Sequence, residues 1–430
     1  MDKGQGTSGS TAPGGAEQRR LEANAEAFRR LCTSDPVLLD VRPAIEVVPG
    51  FTRETILTSG PLLAWDEYTG GQRSAIIGGA LFEGLASDAL DAEKKLAAGS
   101  IRLRGCQELK CVGSLAGIYT ASMPVFVVSN KAFGNLAYCN IYEGTNPRRL
   151  NYGVYDDGVR DRLRYISDII APVLGRAVRS EGGIPLKSIM SRALHMGDDL
   201  HSRNTAASLL FSREIFPAML ALAVTDCDSV DKAVRAMTED HYFFLRLSMA
   251  AAKSMADAAA GIEASSMVTA MAFNCRGFSI RVSGLGDEWF SGPHATVQAT
   301  LFAGHTQDEI TWMGGESIIA ETVGFGGFSQ AAAFALQKYQ GGSPEMMVER
   351  NLALYSITIG ESPDFQIPFL RYRGAPTGID IFKVLDTGIL PVMNIGVAGR
   401  DGGQIGAGIV QAPKPCFEAA AQAYRKRYGT

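Results

Sequence analysis

His195-Met196-Gly197-Asp198-Asp199-Leu200-His201-Ser202-Arg203-Asn204 sits between two segments, 186–195 and 202–222, whose apolar residues recur at spacings of three and four. Gly197 tolerates the left-handed backbone that ends a helix, and Asp198 carries a side-chain oxygen able to accept from the first N–H groups of the next. The stretch therefore predicts a helix stop and restart, with His201 in the first turn of the new helix. Outward from it, 159–178 and 229–259 keep the helical spacing, which makes 156–262 a central all-helical domain.

The flanks read differently. Residues 19–34 and 70–97 are helical in pattern, whereas 35–49 suggests short strands broken by prolines. Val125-Phe-Val-Val128 and Leu136-Ala-Tyr-Cys-Asn-Ile141 are apolar, β-prone runs between Gly, Ser and Asn. Segments 266–303 and 367–410 are again β-prone and cut by glycines, with helical pieces in 328–359 and at the C-terminus. The fold class that follows is α+β, with mixed α/β lobes around the central all-α domain. The expected division is a flexible tail over 1–18, an N-terminal lobe over 19–155, the helical domain over 156–262 and a C-terminal lobe over 263–430. At 430 residues the chain exceeds what a single core usually supports.

Composition excludes several function classes. A net charge of −4 with no basic tract leaves no electrostatic footprint for nucleic acid or an anionic membrane. No uninterrupted run of eighteen apolar residues suggests a membrane span, and residues 1–18 lack the features of a signal or transit peptide. Seven scattered cysteines suit reduced thiols in a bacterial-type cytoplasm. Apolar residues at 46% leave room for subunit interfaces, and homo-oligomerisation is expected.

The polar decapeptide holds two of the five histidines. Asp198 with His201, and Asp199 with Arg203, have the i,i+3 and i,i+4 spacings that meet on a helical face. A positive helix end beside them suits an anionic ligand. The plainer alternative is an N-cap, a surface ion pair and a satisfied histidine. The spacing is not HExxH, so no metal is expected. Elsewhere no Gly-Lys dipeptide occurs, which excludes a nucleotide P-loop. Gly284-Leu-Gly286 and Gly403-Gln404-Ile-Gly406-Ala-Gly408 lack the dinucleotide fingerprint, and read either as anion-binding turns or as plain strand-end turns. Ser122 lies in a Gly- and hydroxyl-rich loop. Asn140, Glu143 and Glu321 are polar groups in strand-end or pre-turn settings where α/β folds hold ligands. No nucleophile elbow or activated cysteine is present.

Taken together, Leu39-Asp-Val-Arg-Pro-Ala44, Thr120-Ala-Ser-Met-Pro124, Tyr138-Cys-Asn140 with Glu143-Gly144, Met196-Gly-Asp-Asp199 with His201, Arg203 and Asn204, Arg281-Val-Ser-Gly-Leu-Gly286, Glu321-Thr322 and Gly403–Gly408 resemble the YlbE-like or AllG family. The resemblance implies a subunit acting with FdrA-type and AllH-type proteins in allantoin catabolism. The small-molecule reaction implied interconverts oxalurate and phosphate with oxamate and carbamoyl phosphate, and no cofactor is implied. The Ser-Thr-Arg-Thr-Arg loop of ordinary carbamoyltransferases is missing.

Such chemistry needs an anion clamp, donors for a developing oxyanion and a base near the attacking nitrogen. His201 is the candidate base, oriented by Asp198, with Glu143 a further acid or base. Arg203 and Arg281 are candidate anion clamps. Asn204, Ser122, Asn140, Glu321, Gln404 and the turns at Gly284, Gly286 and Gly406 are candidate substrate contacts. A non-catalytic scaffold subunit, or a stand-alone paralogue acting on another amide or ureido compound, remains an alternative.

Overall fold

The computed structural model describes residues 15–294 and 297–429. Most of the stretch expected as a tail, residues 1–14, lies outside the described residues, as do 295–296 of the β-prone 266–303 segment and residue 430. Within the expected tail, Gly15 already opens the helix Gly15–Thr33.

An antiparallel sheet in the order Leu136–Asn140, Pro124–Asn130, Pro36–Pro43, Ile184–Pro185 organises the first half. Its strand Pro124–Asn130 is buried along its whole length, and its side chains alternate between two cores as a pleat requires. Phe126 and Val128 join Leu38, Val41 and Cys139 beneath the helices, while Val125 and Val127 join Phe51, Leu57 and Tyr119 on the other face. Each such side chain contributes about 1.5–3 kcal/mol on burial. Only part of 35–49 is strand, because Pro43 ends it and Ala44–Val47 forms one helical turn.

The helical expectation for the centre holds in its residues but not in all its boundaries. Helices cover Asp157–Tyr165, Ala171–Ser180, Leu186–His195, Thr205–Ala223, Cys227–Thr238 and Leu245–Ala258. The continuous 159–178 pattern contains a π-helical turn at Ile166–Ile170. The 229–259 pattern breaks at Asp240, whose carboxylate accepts from the Tyr242 N–H at 2.8 Å, a local bond that competes with the helix. Leu245–Ala258 is buried on nearly every side. Its run Ala250-Ala251-Ala252 lets it pack closely on the sheet, and its Lys253 is neutralised by Asp257 at 2.5 Å. Thr205–Ala223 is long and apolar enough to cross a membrane by length and composition alone, but it packs Leu210, Phe211, Ile215 and Met219 into the main core.

Leu186–His195 stops at Gly197, at φ +96°, as the sequence predicts. The next helix, however, starts at Thr205, not at Asp198. Leu200 takes φ +62°, and the Asp199 carboxylate accepts from both His201 N–H (3.1 Å) and Arg203 N–H (2.8 Å), so the side chain closes a turn in place of the first helical bonds. His201 thus lies in a loop.

The last third builds a three-stranded sheet from Val268–Phe273, Phe278–Val282 and Phe290–Gly292. A second sheet has the order Val297–Leu301, Gln404–Gln411, Val392–Gly399, Ile310–Thr311. The architecture is mixed α+β, and one cluster joins the N-terminal sheet and the central helices to Phe325 and Ile367. Gly153, at φ +77°, closes the turn after Leu150–Tyr152 against the helix Gly70–Phe82, where a Cβ would stand 2.7 Å from the Gly71 Cα. Gly153→Ala is expected to cost at least about 2 kcal/mol, from the left-handed φ plus the backbone clash. A urea-unfolding midpoint no lower than that of the unsubstituted protein would contradict this packing.

Candidate active site

His201 and Glu321, 120 residues apart, meet in the interior. The histidine Nδ1 lies 2.8 and 3.0 Å from the two carboxylate oxygens. A carboxylate accepts, so Nδ1 carries the hydrogen and Nε2 is the nitrogen left for a ligand. Burial disfavours the imidazolium, but the Glu321 charge and hydrogen bond outweigh it and raise the His201 pKa above its ordinary value. Glu321 Oε1 also accepts from the Gly327 and Asn394 N–H groups, at 3.0 Å each. Asn394 donates its side-chain amide to Asp199 Oδ2 at 2.5 Å, and Gly326 N–H donates to the Asp199 carbonyl at 2.8 Å. The loop is fixed from the other side by the Ser248 hydroxyl, which donates to the Leu200 carbonyl at 2.8 Å.

His201 lines an open-mouthed cavity between the central helices and the last sheet. Glu143 and Gln404 line it too, together with Arg149, Arg246 and a group of tyrosines. Glu143 accepts from the N–H groups of Leu150 (2.7 Å) and Asn151 (3.1 Å) and from the Asn151 side chain (2.6 Å). It therefore braces the turn that presents Arg149. That arginine donates to the Tyr142 hydroxyl, to the Gly144 carbonyl at 3.0 Å and to Gln404 Oε1, and its guanidinium lies over the Tyr152 ring at 4.4 Å. Arg246, in the first turn of Leu245–Ala258, donates to Asn140 Oδ1 at 2.7 Å. Sequence reasoning missed both arginines. Arg149 lies in an irregular Asn-Pro-Arg-Arg loop and Arg246 in an apolar helix, and neither setting marks a site.

Several candidates are placed elsewhere. Asp198 does not orient His201: its carboxylate accepts from Ala207 N–H at 2.8 Å and pairs with Arg203 at 3.2 Å, and burial pushes its pKa up to about 7. Arg203 is thereby spent on Asp198 and is not on the cavity wall. Asn204 donates to the His201 carbonyl at 2.9 Å and closes the loop. Ser122 bonds Glu83 at 2.7 Å in a separate surface groove. Asn140 stands behind Arg246 rather than facing the cavity. Arg281 lies over the Trp289 ring at 4.4 Å, with Asp287 at 3.6 Å. The Gly284 N–H is consumed by the Ser265 carbonyl at 2.8 Å and that of Gly286 points back to Ser283, so this turn is no anion nest. Gly406 belongs to a strand, pressed against Thr300, and its carbonyl accepts from Gln404. Glu321 serves His201 rather than a substrate anion. The glycine turn that does face His201 is Gly324–Gly327.

A family model described as "Oxamate carbamoyltransferase subunit AllG" matches residues 101–317, a span that holds Arg149, His201 and Arg246. The chain is 40% identical over 409 residues to "Uncharacterized protein YahG" of Escherichia coli (strain K12), covering 95% of this chain and 86% of that protein. It is 38% identical over 413 residues to "Oxamate carbamoyltransferase subunit AllG" of the same organism, covering 95% and 98%. The crystal structure of a conserved protein of unknown function from Enterococcus faecalis V583 matches with a TM-score of 0.93 at 37% identity, over 96% of this chain and 99% of that one. Identity at this level across both E. coli relatives, with the family model spanning the cavity's arginines and its histidine, means that the chain belongs to the AllG family.

Proposed function

We propose that the chain is a subunit of a carbamoyl-transferring enzyme of allantoin catabolism and that the cavity beside His201 is its substrate site. The observation that carries the reading is a buried histidine on the cavity wall, held through Nδ1 by Glu321 and leaving Nε2 for a ligand. In the direction that consumes carbamoyl phosphate, the oxamate nitrogen attacks the carbamoyl carbon, the new C–N bond forms, and the C–O bond to phosphate breaks. The proton lost by nitrogen passes to His201 Nε2, and Glu321 stabilises the imidazolium so formed. The reverse direction returns that proton as oxalurate is cleaved by phosphate. FdrA-type and AllH-type subunits are the proposed partners. An exposed apolar stripe on Thr205–Ala223 and just beyond it, formed by Leu209, Phe216, Leu220 and Val224, supports a subunit contact. All seven cysteines are free thiols, which supports a cytoplasmic setting.

The test is turnover in the complex assembled from the three proteins. His201→Gln is expected to lower kcat by roughly 10²–10⁴-fold, and wild-type kcat and KM for this variant in a correctly assembled complex would sink the reading.

The pH profile has a worked sign. Neutral His201 is the base, so the carbamoyl-phosphate-consuming rate falls as pH drops through its raised pKa. Glu321→Gln removes the charge that raises it, so the acid limb should move to lower pH while kcat falls. An unmoved limb would mean that another group titrates there.

Asp198 gives the contrasting case. Its folded pKa lies above its unfolded one, so its contribution to stability is greatest below about pH 4 and declines as pH rises towards 7. Asp198→Asn should keep kcat within about twofold, as a residue outside the reacting groups, and should flatten that decline, measured by urea unfolding at pH 4.5 and 7.5.

A further inference from the structure

Proton transfer at His201 leaves Arg149 and Arg246 unexplained. Each is 2% exposed. A buried charge costs several kcal/mol unless it is paired, and the buried Lys253 of this chain is paired with Asp257. The two cavity arginines are treated differently. Arg149 donates to a phenol, a carbonyl and an amide, and Arg246 to an amide, all of them neutral acceptors. Among the described residues no carboxylate oxygen pairs with either, and the Nε of each has no hydrogen-bond partner. The carboxylates acting on them from further off are Glu143 and Asp240. Glu143 is occupied by the Leu150 and Asn151 donors, and Asp240 accepts from Tyr242 N–H. The guanidinium carbons lie 5.2 and 5.6 Å from the centre of the same Tyr142 ring, so two guanidinium groups without a directly paired carboxylate share one cavity wall.

We propose that Arg149 and Arg246, with Tyr142 between them, form an oxyanion subsite that takes the carboxylate or phosphoryl group of a small substrate. The assignment rests on reading the cavity as the substrate site. Guanidinium forks recognise planar carboxylates and phosphate oxygens through paired N–H donors, and an anion seated there supplies the direct ion pair that both arginines lack. Asn140 and Gln404 are positioning residues, which aim Arg246 and Arg149 respectively through hydrogen bonds to Nη atoms.

Calorimetric titration of the full chain at constant ionic strength, with inorganic phosphate and with oxamate as separate probes, tests the subsite. Saturable binding of at least one probe is expected, at one per chain. Phosphate binding assigns the phosphoryl group, oxamate binding the carboxylate, and mutual competition a shared seat. Arg149→Lys and Arg246→Lys keep charge and stem but lose the fork, and each should weaken binding at least tenfold. The surface variant Arg160→Gln should bind as the unsubstituted protein does. Arg246→Met, which replaces an unpaired buried charge by an apolar stem, should melt no lower than the unsubstituted protein without probe, and should lose the rise in Tm that the probe produces. Binding of neither probe, or wild-type affinity in both lysine variants, overturns the subsite. Arginine-dependent binding alongside normal turnover of His201→Gln would remove the proton-transfer reading and leave the subsite standing. Turnover that requires His201 with lysine variants that bind normally would remove the subsite alone.

Discussion

The interior of this protein is organised around a cluster of charge that water cannot screen. Asp199, His201 and Glu321 are all buried, and in a low-dielectric interior each must find its partners in the protein itself. Asp199 is held by the Asn394 amide and by two N–H groups of its own loop. Glu321 is held by His201, Gly327 and Asn394. Three segments distant in sequence, 199–203, 321–327 and 392–394, therefore have one mutual arrangement in which no carboxylate oxygen is stranded. Gly326 and Gly327 sit where a Cβ would strike Glu321 and the Val392 carbonyl respectively, so the close approach depends on their having no side chain.

The buried helix Leu245–Ala258 connects this cluster to the other wall of the cavity. Its small residues bring it close to the strands Pro124–Asn130 and Leu136–Asn140. One turn of it then serves two purposes: Arg246 reaches Asn140 at the end of the second strand, and Ser248 fixes the Leu200 carbonyl beside His201. The sheet's register therefore sets the arginine relative to the histidine, and a slip of one residue would reverse Asn140 to the opposite face. Rigid elements hold both groups, as a preorganised site requires.

Periodicity made the helices and most strands readable from sequence, because burial on one face imposes spacing. It did not reveal where side chains interfere with that spacing. Asp199 uses its carboxylate to close a turn, and so moves a helix start from Asp198 to Thr205. Asp240 splits another helix in the same way. The site was legible only in part. His201, Glu143, Glu321 and Gln404 were named, but the contact of His201 with Glu321 spans 120 residues and no local pattern encodes it. Arg203 was the natural choice of anion clamp by proximity, yet Asp198 neutralises it. The glycine turn at 284–286 had the right composition, but its N–H groups are spent on its own neighbours. In the turn at 324–327 the Gly326 N–H serves the Asp199 carbonyl and the Gly327 N–H the Glu321 carboxylate instead.

Arg149 and Arg246 show why such residues escape a reading of the chain. An arginine in an irregular loop and another in an apolar helix have no spacing in common, and each has the bland explanation of a snorkelling side chain. Burial removes that explanation, because both side chains are withdrawn from the surface and face only the cavity. Their neutral partners then become informative. A chain selected only for stability would give a buried cation a carboxylate, as Lys253 receives from Asp257, or would replace it with an apolar residue. On the proposed reading, two directly unpaired guanidinium groups beside one tyrosine cost stability in the empty protein, and an anionic ligand offsets that cost on binding. The same reasoning separates the two halves of the cavity. The His201 side carries its counter-charge built in, in Glu321, as the proposed proton transfer requires. The arginine side has carboxylates near it but none paired directly with a guanidinium, as the proposed anion subsite requires.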